Sequence, residues 1–212
     1  MSSPAPEVPP PLLIPVGVLG PDSPHDARLI DLAAVVAGQR DGSDPTSTWR
    51  MSVWRGHQAG YGDAPVSVAV TFVAQWVLQA LACAVVASDR SGSHLASALS
   101  VQIAPDATAF YPTAVLIERT ALLPGRSGDP HSAYRRAALA FIDTYRPGLP
   151  MSSRQRHGLV HDVWQAATVS TPARRRSCCF LYALPGMRVC AGCPRITAPA
   201  VANLAPRANR GT

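Results

Sequence analysis

The chain has no lysine: all 19 of its basic residues are arginine. Charge of either sign is sparse, at 15% of 212 residues, and the net charge is +6 with histidine neutral. A nucleic-acid surface gathers basic residues on one face or helix, with aromatic side chains among them where single strands are bound. Here the arginines are scattered apart from one run, Arg174, Arg175 and Arg176, so no nucleic-acid partner is expected. The missing lysine, alongside abundant alanine and 21 prolines, reads as a compositional bias rather than a binding device. Also lacking are a Gly-rich phosphate loop and a G-x-S-x-G elbow, which leaves nucleotide binding and serine-hydrolase chemistry without support. The opening MSSPAPEVPPPLLIP has neither the basic start nor the cleavage pattern of a secretory signal. The expected location is therefore the cytoplasm, either free or peripheral to the inner face of the membrane. In a reducing compartment, five cysteines argue for metal ligation or redox chemistry and against a disulfide framework.

What is present is enough for one globular domain: 47% of residues are apolar, and the length suits a single core. Eight prolines fall within residues 1–24. Residues 1–25 are accordingly expected to be a disordered, Pro-rich segment outside the core. Residues 26–170 are expected to form an α+β core that binds substrate, and residues 171–195 a cysteine-bearing C-terminal segment. Residues 196–212, without periodicity, are expected to be a disordered tail.

Within the core, Leu29, Ile30, Ala33, Val36 and Ala37 recur at helical spacing and predict a helix over Asp26–Gln39, capped by Asp22 or Ser23. Residues 40–64 read as a long connection in which Trp49 and Trp54 pack onto the core. The stretch Val66–Ala87 is apolar enough for a membrane span. Its polar residues argue otherwise. Ser67, Thr71, Gln75 and Gln79 recur every four positions, so they share one stripe of a helix. Neighbouring protein can satisfy such a stripe and lipid cannot. A buried core helix is the expectation, with no stable membrane insertion. Ala98–Ala104 and Ala114–Arg119 read as an antiparallel hairpin. Pro130–Tyr145 and a stretch from Ser152 or Ser153 to about Thr168 read as helices. The fold class is a mostly helical α+β single domain with a β-hairpin and a C-terminal four-cysteine segment.

Chemistry is concentrated in RRRSCCFLYALPGMRVCAGCPR, Arg174–Arg195. Cys178 and Cys179 are adjacent, ten residues follow, and Cys190 and Cys193 close a C-x-x-C; four of five cysteines fall within sixteen positions. A turn at Pro185–Gly186, which suits type II geometry, folds the segment back and places 178 opposite 193 and 181 opposite 190. The two cysteine pairs then meet at one end. Four thiolates select zinc or an iron–sulfur cluster. A CC dipeptide sends its side chains apart and suits one tetrahedral ion poorly, so spacing favours a cluster modestly over zinc.

The pattern C-C-x₁₀-C-x₂-C, preceded by Arg175 and Arg176 and enclosing Tyr182, Leu184, Pro185 and Gly186, resembles the C-terminal motif of the FhuF-like ferric-siderophore reductases. The order of an apolar central helix, a hairpin and a helix opening with Ser152 to Arg154 is similar too. The family's usual Leu-Trp-Gly-Asn stretch is replaced by Arg156-His157-Gly158-Leu159. The resemblance implies a [2Fe–2S] cluster held by Cys178, Cys179, Cys190 and Cys193, with no residue acting as a nucleophile. It further implies one-electron reduction of a ferric siderophore, fed by a cytoplasmic donor of the ferredoxin or flavin-reductase type. Arg174, Arg175 and Arg176 are candidates for docking an anionic chelate or an acidic donor, or form an ordinary solvated basic run. The competing readings are a non-enzymatic zinc-stabilised domain and a [2Fe–2S] electron carrier or redox sensor. His157 and His161, four apart on a helix, lack an HExxH carboxylate and read as an exposed or capped pair. Cys83, inside the apolar helix, reads as core.

Overall fold

The computed structural model describes residues 14–19, 29–106, 108, 110–125, 128–169, 174–190 and 192–195. The expected caps Asp22 and Ser23, and the tail 196–212, lie outside them, as do the prolines before residue 14. In chain order the elements are β1 (Val16–Leu19), β2 (Ile30–Asp31), α1 (Leu32–Arg40), α2 (Ser47–Tyr61), α3 (Val66–Arg90), β3 (Ser93–Leu95), β4 (Val101–Pro105), β5 (Pro112–Glu118), β6 (Leu122–Pro124), α4 (Pro130–Ile142) and α5 (Ser153–Thr168). This is the mostly helical α+β class the sequence indicates.

The predicted hairpin is β4–β5, with Val101 opposite Ile117 and Ile103 opposite Val115. All four side chains are buried, as the period of two requires for one face turned to a core. β1 adds to β5 in parallel and β2 to β4 antiparallel, giving a four-stranded sheet in the order β1-β5-β4-β2. β3 and β6 form a separate two-stranded ribbon.

Three sequence expectations are corrected. β1 lies inside the segment 1–25 expected outside the core, and Ile14 just before it is 7% exposed in the main core; prolines at 15 and 21 flank the strand without interrupting it. The first helix starts at Leu32 rather than Asp26. Ile30 is apolar because it pairs with Ile103 across the sheet, and the cap is Asp31, whose side chain accepts from the Ala34 amide at 2.9 Å. The connection 40–64 contains a helix, α2. Its own side chains cap it poorly and it carries Gly56 and Gly60, so tertiary contacts hold it. Trp49 stacks on Trp76 with centroids 5.8 Å apart, and the Trp54 indole N–H donates to the Ala64 carbonyl at 2.9 Å.

α3 is the centre of the fold, covered by α2, α4, α5 and the sheet. Its apolar window has a mean hydropathy of 1.9, yet 78% of it is buried inside the protein, as expected of a core helix. Alanines at 69, 74, 80, 82 and 84 are fully buried, and such small side chains let neighbouring helices approach closely. Two buried phenols lock the helices together: Tyr134 donates to the Val160 carbonyl at 2.9 Å, and Tyr145 to the Val70 carbonyl at 3.1 Å.

Candidate metal centre

Between Arg174 and Arg195 the described chain has one short turn of regular structure, the 3-10 turn Leu181–Ala183. A segment this irregular cannot hold itself in place, and side chains of α5 and α3 fix it instead. On α5, Gly158 and Asp162 lie one turn apart on the same buried face. Gly158 brings the helix backbone against the segment; a Cβ there would sit 3.0 Å from Ser177 Cβ and 3.2 Å from the Arg176 carbonyl carbon and the Ser177 nitrogen. Asp162 accepts from the Arg176 amide at 2.8 Å, the Ser177 amide at 2.8 Å and the Ser177 hydroxyl at 2.6 Å. The Arg175 guanidinium stands 3.7 Å from the same carboxylate and donates to the Gln75 side-chain carbonyl of α3 at 3.0 Å. A buried carboxylate is tolerable when surrounded by donors in this way.

The far end of the segment has an apolar anchor. Leu184, 2% exposed, forms a small core with Ala64 and Val68, against which Phe72, Phe180, Leu181, Ala183 and Met187 pack. The turn that follows is the expected type II form: Met187 N–H donates to the Leu184 carbonyl at 3.0 Å, and Gly186 takes φ of 77°. The expected pairing of 181 with 190 does not form. Phe180 turns into the left-handed region (φ 58°) and residues 181–183 coil, so the loop widens beyond the turn. The two arms rejoin where the Arg175 amide donates to the Gly192 carbonyl at 3.0 Å.

That closure brings all four predicted cysteines together. Cys178 lies close enough to Cys193 and Cys179, and Cys190 to Cys179 and Cys193, for each thiol to bear on its neighbours' protonation. Cys179 and Cys193 are buried; Cys178 and Cys190 are half-buried. The Phe180 amide donates to the Cys178 sulfur at 3.4 Å. Burial raises the Cys178 thiol, the Phe180 amide opposes it, and the neighbouring Cys193 and Cys179 add to the rise. Burial likewise pushes Cys190 up to about 11, reinforced by Cys179 and opposed by Arg175. Loading a metal at Cys178 and Cys190 must therefore release their protons. Among the described residues no three His, Cys, Asp or Glu side chains are grouped as a single-ion site. Four soft sulfur donors suit zinc or an iron–sulfur cluster.

The other sequence candidates stand apart from the thiols. His157 is exposed, 3.5 Å from Asp143, and His161 Nδ1 lies 3.5 Å from Asp162 Oδ1. Cys83 is 4% exposed in the main core, where burial raises its thiol. Arg174, Arg175 and Arg176 do come together with Arg154, His157, Gly158 and Pro194 around an open basin of about 630 Å³. Sequence reasoning missed Asp162, Gly158 and Arg154. An aspartate and a glycine spaced four apart on the apolar side of a helix were the available signal, since each is unfavourable there unless something packs against it.

With this geometry in place, comparison with known proteins is informative for the same residues. Residues 175–195 match the model of the FhuF 2Fe-2S C-terminal domain. The segment is thus similar to the FhuF 2Fe–2S domain, which supports a [2Fe–2S] cluster as its cofactor. Comparisons with curated proteins and with solved structures give no match.

Proposed function

We propose that Cys178, Cys179, Cys190 and Cys193 ligate the [2Fe–2S] cluster and that the protein is a ferric-siderophore reductase of the cytoplasm. The observation that carries the reading is the meeting of these four thiols within the segment that matches the FhuF 2Fe-2S domain. When bound, such a cluster supplies exchange of one electron at a time. Ferric iron is held tightly by the hard oxygen donors of siderophores and ferrous iron weakly, so one-electron reduction is a release step. The electron comes from a donor of the ferredoxin or flavin-reductase class and ends on the chelated iron; no proton or leaving group is needed.

The chain's own residues set the conditions. The Phe180 amide directed at Cys178 and the Arg175 charge beside Cys190 both stabilise negative charge on sulfur, the kind of contact that raises a cluster's potential. Asp162 and Gln75 hold Arg175 where it does this.

The test is anaerobic purification followed by absorption spectroscopy and iron and sulfide analysis. The reading expects visible bands that bleach with dithionite, two irons and two sulfides per chain, and reduction of a ferric siderophore with matching reoxidation. Serine at any of the four cysteine positions should shift or abolish the bands. A colourless protein with one zinc per chain would sink the proposal, and an intact cluster that reduces no ferric chelate would leave an electron carrier or redox sensor.

A further inference from the structure

The basin beside the thiols has a composition that selects among chelates. Arg154, His157, Arg174, Arg175 and Arg176 line it, and no acidic side chain does. Asp143 stands 3.5 Å from His157, and Asp162 of α5 is turned away into its bonds with Arg176 N–H and Ser177 and is 8% exposed. It offsets Arg175, which is also tied to Gln75. Arg154 and Arg176 remain as arms, since the bonds at Arg176 use its backbone and leave its guanidinium to the basin. Arg154 lies in the first turn of α5, where the helix dipole adds positive potential.

Size and position narrow the occupant further. A volume of about 630 Å³ falls in the range of small-molecule pockets, roughly 300–1,000 Å³. It is an open basin with only seven lining residues, whereas a protein partner needs a broad face. Two of its sides come from the cysteine segment itself: Arg176 is two residues before Cys178, and Pro194 directly follows Cys193. Whatever occupies it therefore sits next to the electron source. Guanidinium groups present paired donors that suit carboxylate and catecholate oxygens.

We propose that this basin docks a compact polyanionic ferric chelate, one whose ligand carries carboxylate or catecholate charge, in preference to a neutral trihydroxamate chelate. The proposal deepens the reductase reading and rests on it. Removing one positive charge about 6 Å from a trianion should weaken binding about fivefold at 0.15 M salt, and more at low salt.

The experiment measures binding by calorimetry, on the cluster-loaded protein, of gallium(III) chelates, which match the charge of the ferric ones and take no electron. A trianionic gallium tris-catecholate should bind at least about tenfold tighter than a neutral gallium trihydroxamate, and its affinity should fall as salt rises. Arg154→Gln and Arg176→Gln should each weaken the trianion about fivefold and the neutral chelate less than twofold. Arg154→Lys should restore most of the loss, and the visible spectrum should stay unchanged throughout. Equal binding of both chelates, or wild-type affinity in Arg154→Gln and Arg176→Gln, overturns the docking proposal even where ferric chelates are reduced. Charge-selective gallium binding by a protein that reduces no ferric chelate would uphold the basin as an anion site and overturn the reductase reading.

Discussion

Asp162→Asn separates the role of the carboxylate from that of its shape. The two side chains are nearly isosteric, but asparagine has one accepting oxygen and an amide that only donates. In the native protein Oδ2 alone receives the Ser177 amide at 2.8 Å, the Ser177 hydroxyl at 2.6 Å and the Arg176 amide at 3.0 Å, while Oδ1 receives Arg176 at 2.8 Å. Either rotamer of asparagine turns its NH₂ group toward at least one backbone N–H. One bond to a charged acceptor is worth about 1.5–3 kcal/mol, and the attraction to Arg175 at 3.7 Å, half-exposed, adds at most about 1 kcal/mol. Relief from burying a charge offsets part of this. The net expectation is roughly 2–3 kcal/mol, spent on the attachment of residues 174–195 rather than on the helices beneath. At 1.36 kcal/mol per tenfold, that is about 30-fold or more in local opening. Two assays read it: hydrogen exchange at the Arg176 and Ser177 amides, and the rate at which visible absorbance is lost to an iron chelator. Both should accelerate by that factor while the thermal transition of the helical core moves little. Wild-type exchange at those two amides would refute the reasoning, because Asp162 is the acceptor for both.

Other substitutions test the remaining anchors. Gly158→Ala adds helix propensity worth about 1 kcal/mol, yet its Cβ would lie 3.0 Å from Ser177 Cβ and 3.2 Å from backbone that Asp162 pins. Absorbance loss should therefore quicken even as α5 itself gains stability, which circular dichroism can follow separately. Leu184→Ala empties the small core against Ala64 and Val68 and should cost about 2–4 kcal/mol, again read as faster cluster loss rather than global unfolding. Asp44 lies away from the site and gives a pH test. Burial raises its carboxyl, but hydrogen bonds and charge from Arg50 and hydrogen bonds from Thr46 outweigh that and hold it below 3.8. A group with a lowered folded pKa stabilises above its unfolded value and loses that contribution as pH falls through the folded one. Asp44→Asn should thus melt below wild type at neutral pH, with the gap closing below about pH 3.8; a gap constant with pH would remove the Asp44–Arg50 pair from the account.

How much of this was legible depended on whether a residue's environment is local. The β4–β5 hairpin, α4 and α5 followed from period and caps: Ser152 caps α5 as expected by accepting from the Gln155 amide at 3.2 Å, and Asp129 and Pro130 open α4. The four cysteines were legible because spacing and turn chemistry, both local, bring them together. What escaped the sequence was set by distant partners. Ile30 looked helical and is a strand residue because Ile103 lies opposite. α2 looked like a loop because its stability comes from Trp76 and the Ala64 carbonyl. Arg154 looked like any first-turn arginine, and only the return of the chain at Arg174–Arg176 and Pro194 makes it the wall of a basin.

The polar stripe of α3 serves both the core and the cysteine segment. Ser67, Thr71, Gln75 and Gln79 argued against lipid because they would need partners, and the partners are now identifiable for the middle pair. Thr71 donates to the Ser67 carbonyl at 2.9 Å and accepts from the Gln155 side chain of α5 at 3.3 Å. Gln75 accepts from Arg175 at 3.0 Å. The feature that makes this helix a core helix is therefore also what attaches the cysteine segment. A segment of this length without strands buries too little to fold alone, and it borrows a carboxylate and a bare glycine from α5, an amide from α3 and an apolar seat beside Val68. The helices thus supply the attachment that holds the cysteine segment in place. Replacing Gln75 with leucine should then loosen Arg175 and the cysteine loop while leaving α3 buried, which would separate the attachment role of the stripe from its role in the core.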